Sequence, residues 1–289
     1  MAVCAIVAGV LTPNVLAPSQ AEAQEVQVTG PLAGAPACRN CRIYREGRFQ
    51  LQPFIGFTLQ DEFTRTIPLG LQINYHFTDW LGIGLWGAWS GINLDTGLTS
   101  EVESQGETTT RNRLSLPNRQ GFPEQIGQID FMAALQLTFI PLRGKLALFQ
   151  KAFIDADFYV FAGFAIAGVT ERAEVSTEGD FNPGLCDNLN PNPAVPDICD
   201  QSQVADESRI ALAPTFGVGL MLMVNEFFGI SFEWRGLPFS WNTSGTDEAG
   251  PDGEFPDGLI NSDDRIFHFN HMVNIGFAFY LPVAARVSE

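Results

Sequence analysis

The chain has 289 residues, of which 45% are hydrophobic and 17% charged, and its formal net charge is −17 at pH 7. A surface this negative makes nucleic acid an unfavourable partner, because the phosphate backbone carries the same sign of charge. No uninterrupted apolar run of about 18 residues occurs, which excludes a transmembrane helix. The length suits one or two domains.

The N-terminal segment has the pattern of a targeting sequence. An apolar stretch from Ala2 to Leu11 is followed by Ala21-Glu22-Ala23, which matches a signal-peptidase cleavage site. Residues 1–23 are therefore predicted to be a signal peptide, although no Lys or Arg precedes Arg39. Residues 24–47 contain Pro and Gly without hydrophobic periodicity, and we expect them to form a periplasmic lead-in.

The strongest pattern in the chain is alternation between apolar and polar or small residues. From Phe267 to Leu281 the odd positions are apolar except for His271. Successive side chains of a strand point to opposite faces, so such a segment has one apolar face. Alternation of this length matches the roughly 9–11 residues with which a tilted strand crosses a bilayer. Eight strands are predicted in this way: Arg48–Leu59, Ile67–Phe77, Trp80–Gly91, Ile126–Ile140, Phe153–Val169, Arg209–Val224, Phe228–Leu237 and Phe267–Leu281.

The connections between these strands alternate in length. Those at 78–79 and 225–227 are tight, those at 60–66 and 141–152 are of medium length, and those at 92–125, 170–208 and 238–265 are long. Outer-membrane barrels have short periplasmic turns and long external loops, whereas a β-sandwich has no such rhythm. The predicted fold is all-β, an eight-stranded antiparallel transmembrane β-barrel with long extracellular loops. It spans 48–282, is followed by a tail at 283–289, and places the protein in the bacterial outer membrane.

A barrel of eight strands is just wide enough for its own side chains to fill. The inward side chains should therefore form a packed polar network, for which a stabilising plug is favoured over a switchable gate. Buried charges need partners, and Glu233 and Arg235, on one face of one strand, are each expected to pair with a neighbouring strand. The predicted members of this lumen network are Asp130, Asp155, Asp157, Arg209, Glu233 and Arg235.

Four cysteines remain after the predicted cleavage, in an oxidising compartment. Four cysteines allow three pairings. If the two groups lie on opposite sides of the membrane, only the disulfides Cys38–Cys41 and Cys186–Cys199 can form. A zinc site at Cys38-x-x-Cys41 needs two further ligands and the chain has only 3 His, so no metal site is predicted.

Most of the negative charge lies in two of the long connections. Residues 171–207 contain nine Asp or Glu against one Arg, and residues 242–264 contain seven acids and no base. Solvated loops are the favoured interpretation of such runs. A divalent cation, bridging to anionic lipid headgroups such as those of lipopolysaccharide, is the alternative, although no EF-hand pattern is present.

Catalysis finds little support in the sequence. An enzyme would need a nucleophile, a base and an orienting acid near one rim. His268 and His271 differ in parity and so face opposite sides of the last strand. No G-x-S-x-G, Walker or HExxH motif occurs. The sequence predicts a protein that is not an enzyme and has no catalytic residues and no cofactor.

The chain resembles a family of small outer-membrane β-barrels of myxobacteria and related proteobacteria, over roughly residues 48–282. The resemblance rests on four motifs: Ile73-Asn74-Tyr75-His76-Phe77 before Trp80, Pro141-Leu142-Arg143-Gly144-Lys145 before Asp155 and Asp157, Phe232-Glu233-Trp234-Arg235, and Phe279-Tyr280-Leu281-Pro282. Some members of that family look like parts of envelope-spanning machineries, including gliding motility. The resemblance therefore implies protein partners in the periplasm or outer membrane.

Taken together, the sequence favours a structural or partner-binding barrel in the cell envelope, held in outer-membrane lipid. Two alternatives stay open. One is a porin-like narrow channel for ions or small solutes, and the other is a lipid-modifying enzyme at the outer rim.

Overall fold

A computed structural model of the protein describes residues 43–59, 61–106, 114–117, 122–148, 152–173, 175–176, 206–253 and 255–283. All of them lie in the second of two contact-defined units of the chain, Arg42–Ser288. No helix in this part of the chain combines the length and the hydropathy that a membrane crossing needs.

Ten strands are formed, eight of them long. They are β1 (Phe49–Leu59), β2 (Thr64–His76), β3 (Leu81–Asp95), β4 (Gln128–Leu148), β5 (Ala152–Arg172), β6 (Val175–Ser176), β7 (Asp206–Met223), β8 (Phe228–Trp241), β9 (Leu259–Ile260) and β10 (Ile266–Leu281). The long strands close into an antiparallel barrel in the order β1-β10-β8-β7-β5-β4-β3-β2, and β6 pairs with β9. Two short helices, α1 (Gly97–Gln105) and α2 (Phe122–Gln125), and a 3-10 turn at Ser262–Asp264 complete the described elements. The predicted eight-stranded antiparallel barrel is confirmed.

The two ends of the barrel differ. The "turn rim" carries the connections 77–80, 149–151 and 224–227, and the "loop rim" carries 60–63, 96–127, 173–205 and 242–265. The predicted medium-length connection at 141–152 is wrong, because β4 and β5 continue through it as a ladder from Leu142↔Phe158 to Leu148↔Ala152. A register shift between Phe139 and Leu142 accommodates Pro141, which has no N–H to give to a regular ladder.

The outward face of the sheet is an apolar band. Phe164 and Leu212 are 82% and 79% exposed, and Leu85, Leu135 and their outward neighbours are exposed in the same way. Water would strongly disfavour so large an apolar surface, whereas hydrocarbon solvates it. Aromatic side chains at the turn rim, including Phe49, Phe77, Trp80, Phe139 and Phe227, form the kind of girdle found at the interface of a transmembrane barrel.

The inward face is polar and packed. Its buried side chains include glutamines, asparagines and threonines from most of the strands, together with a few large rings. The barrel interior is therefore filled with side chains, as expected for eight strands.

Candidate functional site

The centre of the lumen is occupied by one arginine. β8 points Ser231, Glu233 and Arg235 inward because they share one parity of the strand, and the Arg235 side chain is 0% exposed. Its guanidinium carbon lies 4.2 Å from the ring centroid of Trp86 and 4.2 Å from that of Phe161. The cation is thus enclosed between two aromatic faces, an arrangement that is attractive when desolvated. These three side chains are called the "arginine stack" below.

The polar edge of the Arg235 guanidinium is hydrogen-bonded on all three nitrogens. Nε and Nη2 donate to Glu233 Oε1 at 3.1 and 2.9 Å, Nη2 donates to Gln136 Oε1 at 2.7 Å, and Nη1 donates to Thr215 Oγ1 at 3.0 Å. Arg235 and Glu233 do have hydrogen-bond partners on the neighbouring strands, Thr215 on β7 and Asn274 on β10, as expected, but their ion pair lies within β8. The long arginine side chain folds back along its own strand to the acid two residues away.

Glu233 extends the same network to two further strands. Tyr159 donates from its hydroxyl to Glu233 Oε2 at 3.1 Å, and Asn274 Nδ2 donates to Glu233 Oε1 at 3.2 Å. With the arginine stack, the network joins β3, β4, β5, β7, β8 and β10, which are six of the eight barrel strands. It crosslinks the barrel at mid-height and fills the lumen there.

Two glycines on β7 make room for the lumen rings. Gly217 lies opposite Phe161, and Gly219 lies opposite Tyr159, in the register of the two strands. A Cβ at Gly217 would lie 2.5 Å from the Phe161 ring, and one at Gly219 would overlap the Tyr159 ring. Aromatic side chains covering cross-strand glycines stabilise a curved sheet. This pairing is a signal that could have predicted the lumen rings from sequence.

The turn rim is closed by the segment Ile43–Gly47. Arg45 is buried and forms an ion pair with Asp157, while its backbone N–H donates to Asp79 Oδ1 at 2.7 Å. Arg143, on the projecting β4–β5 hairpin, donates to the carbonyl oxygen of Ile43 at 2.7 Å and lies 3.6 Å from a carboxylate oxygen of both Asp157 and Asp79. Two arginines and two aspartates therefore form one network of ion pairs across the turn rim.

Arg48 ties the first strand of the barrel to the last one at the turn rim. Its Nη2 donates to the carbonyl oxygen of Pro282 at 2.9 Å and to that of Glu226 at 3.0 Å. Its guanidinium carbon also lies 5.2 Å from the centroid of the Tyr280 ring. The start of β1 is thereby tied to the residues that follow β10.

At the loop rim the central group is Glu171, which sequence reasoning missed. Arg209 Nε and Arg265 Nε each donate to Glu171 Oε1 at 2.5 Å, and the backbone N–H of Asn242 donates to Oε2 at 2.9 Å. Glu171 was assigned to a loop, but β5 continues to Arg172 and the alternation places Glu171 inward. Arg209 therefore lies on the inward face at the loop rim, away from the central network.

Asp130 does not face the lumen, so its predicted place in the lumen network is wrong. The register of β4 shifts between Ile129 and Phe131, which turns Ile129 inward and reverses the parity of Asp130. Its Oδ2 accepts a hydrogen bond from Thr170 Oγ1 at 2.7 Å. Val169 is fully buried on the inward face, so Thr170 and Asp130 lie on the outer side of the wall.

The other predicted members of the network are distributed along the barrel. Glu233 and Arg235 lie at its centre, Asp157 lies at the turn rim, and Asp155 is half-buried two residues nearer the end of the β4–β5 hairpin. The structure thus separates the six predicted residues into several groups and does not bring them into one cluster.

The loop between β8 and β10 is built around two of its own acids. Asp247 Oδ2 accepts from the backbone N–H of Gly258 at 2.7 Å. Asp264 accepts from the N–H of Glu248 through Oδ1 and from that of Asn261 through Oδ2, each at 2.7 Å. Burial raises the pKa of Asp247, against the lowering effect of the backbone N–H groups of Gly258 and Asp257. Within the described residues, no group of three or more His, Cys, Asp or Glu side chains is placed to hold a metal ion.

Cys38, Cys41, Cys186 and Cys199 lie outside the described residues, as does most of the acidic segment 171–207, and both disulfides stay predictions. The histidines lie apart. His76 Nε2 is 3.0 Å from Gln50 Oε1 in the lumen, the His268 ring packs edge-on against Trp241, and His271 packs against Trp234 on the lipid face.

No protein-family model matches this chain, and no curated protein matches it. Among solved structures, it is similar to the N-terminal β-barrel domain of OprF from Pseudomonas aeruginosa, with 11% identity over 82% of this chain and 98% of that chain and a TM-score of 0.40. OprG from the same organism has 12% identity over 82% and 97% of the two chains, with a TM-score of 0.40.

A third similar structure is Ail, the attachment invasion locus protein of Yersinia pestis, with 10% identity over 82% of this chain and 99% of that chain and a TM-score of 0.32. The nature of the present chain follows from its own geometry, which is a closed antiparallel sheet with an apolar exterior and a filled polar interior. Hydrocarbon solvates an apolar exterior that surrounds the whole sheet, and closed barrels are the β-structures that span membranes. The chain is an eight-stranded β-barrel protein of the bacterial outer membrane.

Proposed function

We propose that this protein is a non-conducting outer-membrane barrel whose role is structural and partner-binding. The observation that carries the proposal is the arginine stack, which fills the lumen at mid-height with Trp86, Arg235 and Phe161. Arg45 and Asp157 add a second obstruction at the turn rim. Six of the eight barrel strands are thereby crosslinked, while the path through the centre of the barrel is blocked twice.

The loop between β8 and β10 supports the partner-binding part of the proposal. It is held in one shape by the internal bonds of Asp247 and Asp264, yet Phe255 at its tip is 75% exposed. Asp252 and Asp257, which flank Phe255 in the sequence, are exposed as well. A preorganised loop loses little conformational freedom on binding, and this one offers an aromatic anchor with acids for a basic partner.

Planar-bilayer recording of the purified protein tests the lumen. We expect no discrete openings from the wild-type barrel. The variant Trp86→Ala/Phe161→Ala should conduct ions if these rings close the lumen, and the matched variant Phe164→Ala, on the lipid face, should not. Resolved openings of the wild-type protein would contradict the proposal and favour the narrow channel.

Crosslinking in intact envelopes followed by co-purification tests the partner. We expect Phe255→Ser to lose crosslinked proteins that the wild type retains. Leu98→Ser, an exposed apolar change on α1 at the same rim, is the control and should retain them. Equal recovery from both variants would remove the loop tip from the binding surface.

The resemblance to myxobacterial barrels extends the proposal to a subunit of an envelope-spanning machinery such as gliding motility. The identity of the co-purified proteins tests this extension. The proposed processing after Ala23 and the periplasmic placement of residues 24–47 support such a role, because the lead-in would then reach partners below the membrane. The N-terminal mass of the protein extracted from membranes tests the cleavage.

A further inference from the structure

The barrel wall has a notch at the loop rim, between β1 and β10. β1 ends at Leu59, whose partner on β10 is His271, whereas β10 continues to Ile266 and stays paired with β8 as far as Trp241. In the described part of the sheet, the segment Ile266–Asn270 therefore has a strand partner on one side only. The turn from β1 to β2 stands opposite this free edge.

A cavity of about 350 Å³ fills the notch, which is within the roughly 300–1,000 Å³ of small-ligand sites. Its walls come from three parts of the chain: the β1–β2 turn, the entry to β4, and the facing ends of β8 and β10. Leu59 and Phe269 line it from the lipid-facing side of the wall, whereas Trp241, only 7% exposed, lines it from within. The cavity therefore passes through the wall of the barrel.

The inner wall of this cavity is rigid. Trp241 Nε1 donates to Asn270 Oδ1 at 3.2 Å, and the Trp241 ring packs edge-on against His268. On its other side the ring covers Gly127, where a Cβ would lie 3.1 Å from the ring and 2.3 Å from the carbonyl oxygen of Asn242. The aromatic surface is thus in place before any ligand arrives, which lowers the entropic cost of binding.

The outer wall carries two carboxylates. Asp61 and Glu62 both line the cavity, and among the described residues no Lys or Arg does. Asp61 Oδ2 is buried and has no hydrogen-bond partner among the residues that the structure describes, which is costly for a carboxylate oxygen. Burial raises the pKa of Asp61 to about 6, against the lowering effects of the Thr58 side chain, the Thr66 backbone N–H and the charge of Arg65. A cation bound in the cavity beside this carboxyl would lower its pKa and favour its charged form.

We propose that the notch binds a primary ammonium group carried on an aromatic or apolar body, with the carboxylate of Asp61 as its counter-ion at the cavity wall. The rings of Trp241 and Phe63 line the same space and are attractive surfaces for an organic cation. A bare divalent cation fits less well, because it needs about six oxygen ligands and gains nothing from apolar walls. This ligand site goes beyond the structural role proposed above.

Calorimetry with the full-length protein in a neutral maltoside detergent at pH 7.5 tests the proposal. The probes are phenethylamine and its neutral counterpart 2-phenylethanol. We expect the amine to bind about tenfold or more tightly than the alcohol, and Asp61→Asn to weaken the amine by a similar factor, because a charge-assisted bond is lost. Asp61→Asn should leave binding of the alcohol unchanged. The control Asp252→Asn removes the same charge from an exposed loop position and should bind both probes as the wild type does.

Equal affinity for the two probes, or an amine affinity that Asp61→Asn leaves unchanged, overturns the proposal. An equal loss in Asp252→Asn also overturns it, because the effect would then come from net charge. Nanodiscs distinguish two sources of the ammonium group. Weaker amine binding in phosphatidylethanolamine than in phosphatidylcholine supports the site with a lipid headgroup as occupant, and equal binding supports it with a free amine as occupant.

Discussion

The substitution Arg235→Met tests whether the arginine stack holds the barrel together. Methionine keeps much of the length and apolar contact of the side chain, but it removes the donors to Glu233, Gln136 and Thr215. Glu233 then remains as a buried charge with only the donors of Tyr159 and Asn274. Breaking a buried ion pair from one side costs about 3–5 kcal/mol, so we expect a loss of that size in the free energy of unfolding.

The second variant, Arg235→Met/Glu233→Gln, separates the cost of the unpaired charge from that of lost packing. A neutral glutamine keeps partners in Tyr159 and Asn274, and no charge remains buried. We therefore expect the double variant to recover most of the stability that the single variant loses, since replacing both members of a buried pair is often nearly neutral.

Equilibrium unfolding by urea from lipid vesicles measures these differences. Tryptophan fluorescence follows the transition, and heat-dependent gel mobility provides a second probe of the closed barrel. Leu212→Met, on the lipid face, is the control and should unfold as the wild type does. A wild-type midpoint for Arg235→Met, or a double variant as unstable as the single one, would refute the role of the ion pair.

Three further predictions concern the loop rim and the cysteines. Glu171→Gln should weaken the hydrogen bonds from two arginines and one backbone N–H, which lowers the local stability of the loop rim by about 1–3 kcal/mol. Hydrogen exchange should then show faster amide exchange in residues 242–246 and unchanged exchange in the strand cores. The pKa of Asp61 is about 6 in the folded state against a reference value of 3.8. Between these two pH values the folded state binds more protons than the unfolded state, so the free energy of unfolding falls as pH rises from 3.8 to about 6. Asp61→Asn should flatten the difference in unfolding free energy between pH 4 and pH 7.5, and an unchanged slope would count against the burial of this carboxyl. Cys186 and Cys199 should resist thiol labelling on intact cells until reductant is added, and labelling without reductant would disprove that disulfide.

The sequence predicted the barrel because alternation and connection length report the same architecture. β10 was predicted to within one residue, since its alternation has a single interruption, at His271. The β4–β5 hairpin was missed because Pro141 and Gly144 are typical of a turn, yet a register shift lets both strands continue. The same kind of irregularity at Ile129 reversed the face of Asp130.

The interior was harder to predict than the wall. Parity placed Glu233 and Arg235 inward, but it carries no information on how a flexible side chain turns, and Arg235 folds back to its own strand. The cavity in the notch depends on β1 ending several residues before β10. No local pattern encodes that difference, because it arises only when the first and last strands meet.

The bond between Arg48 and Pro282 joins residues 234 positions apart in the chain, and the first strand finds its partner only in the last one. Contacts of such long sequence separation slow folding. Until the final strand arrives, β1 and β8 each expose a bare edge that can recruit other chains. Secretion must therefore deliver the entire polypeptide in an unfolded, chaperoned form, and even a short deletion from β10 should yield aggregates and not a smaller barrel.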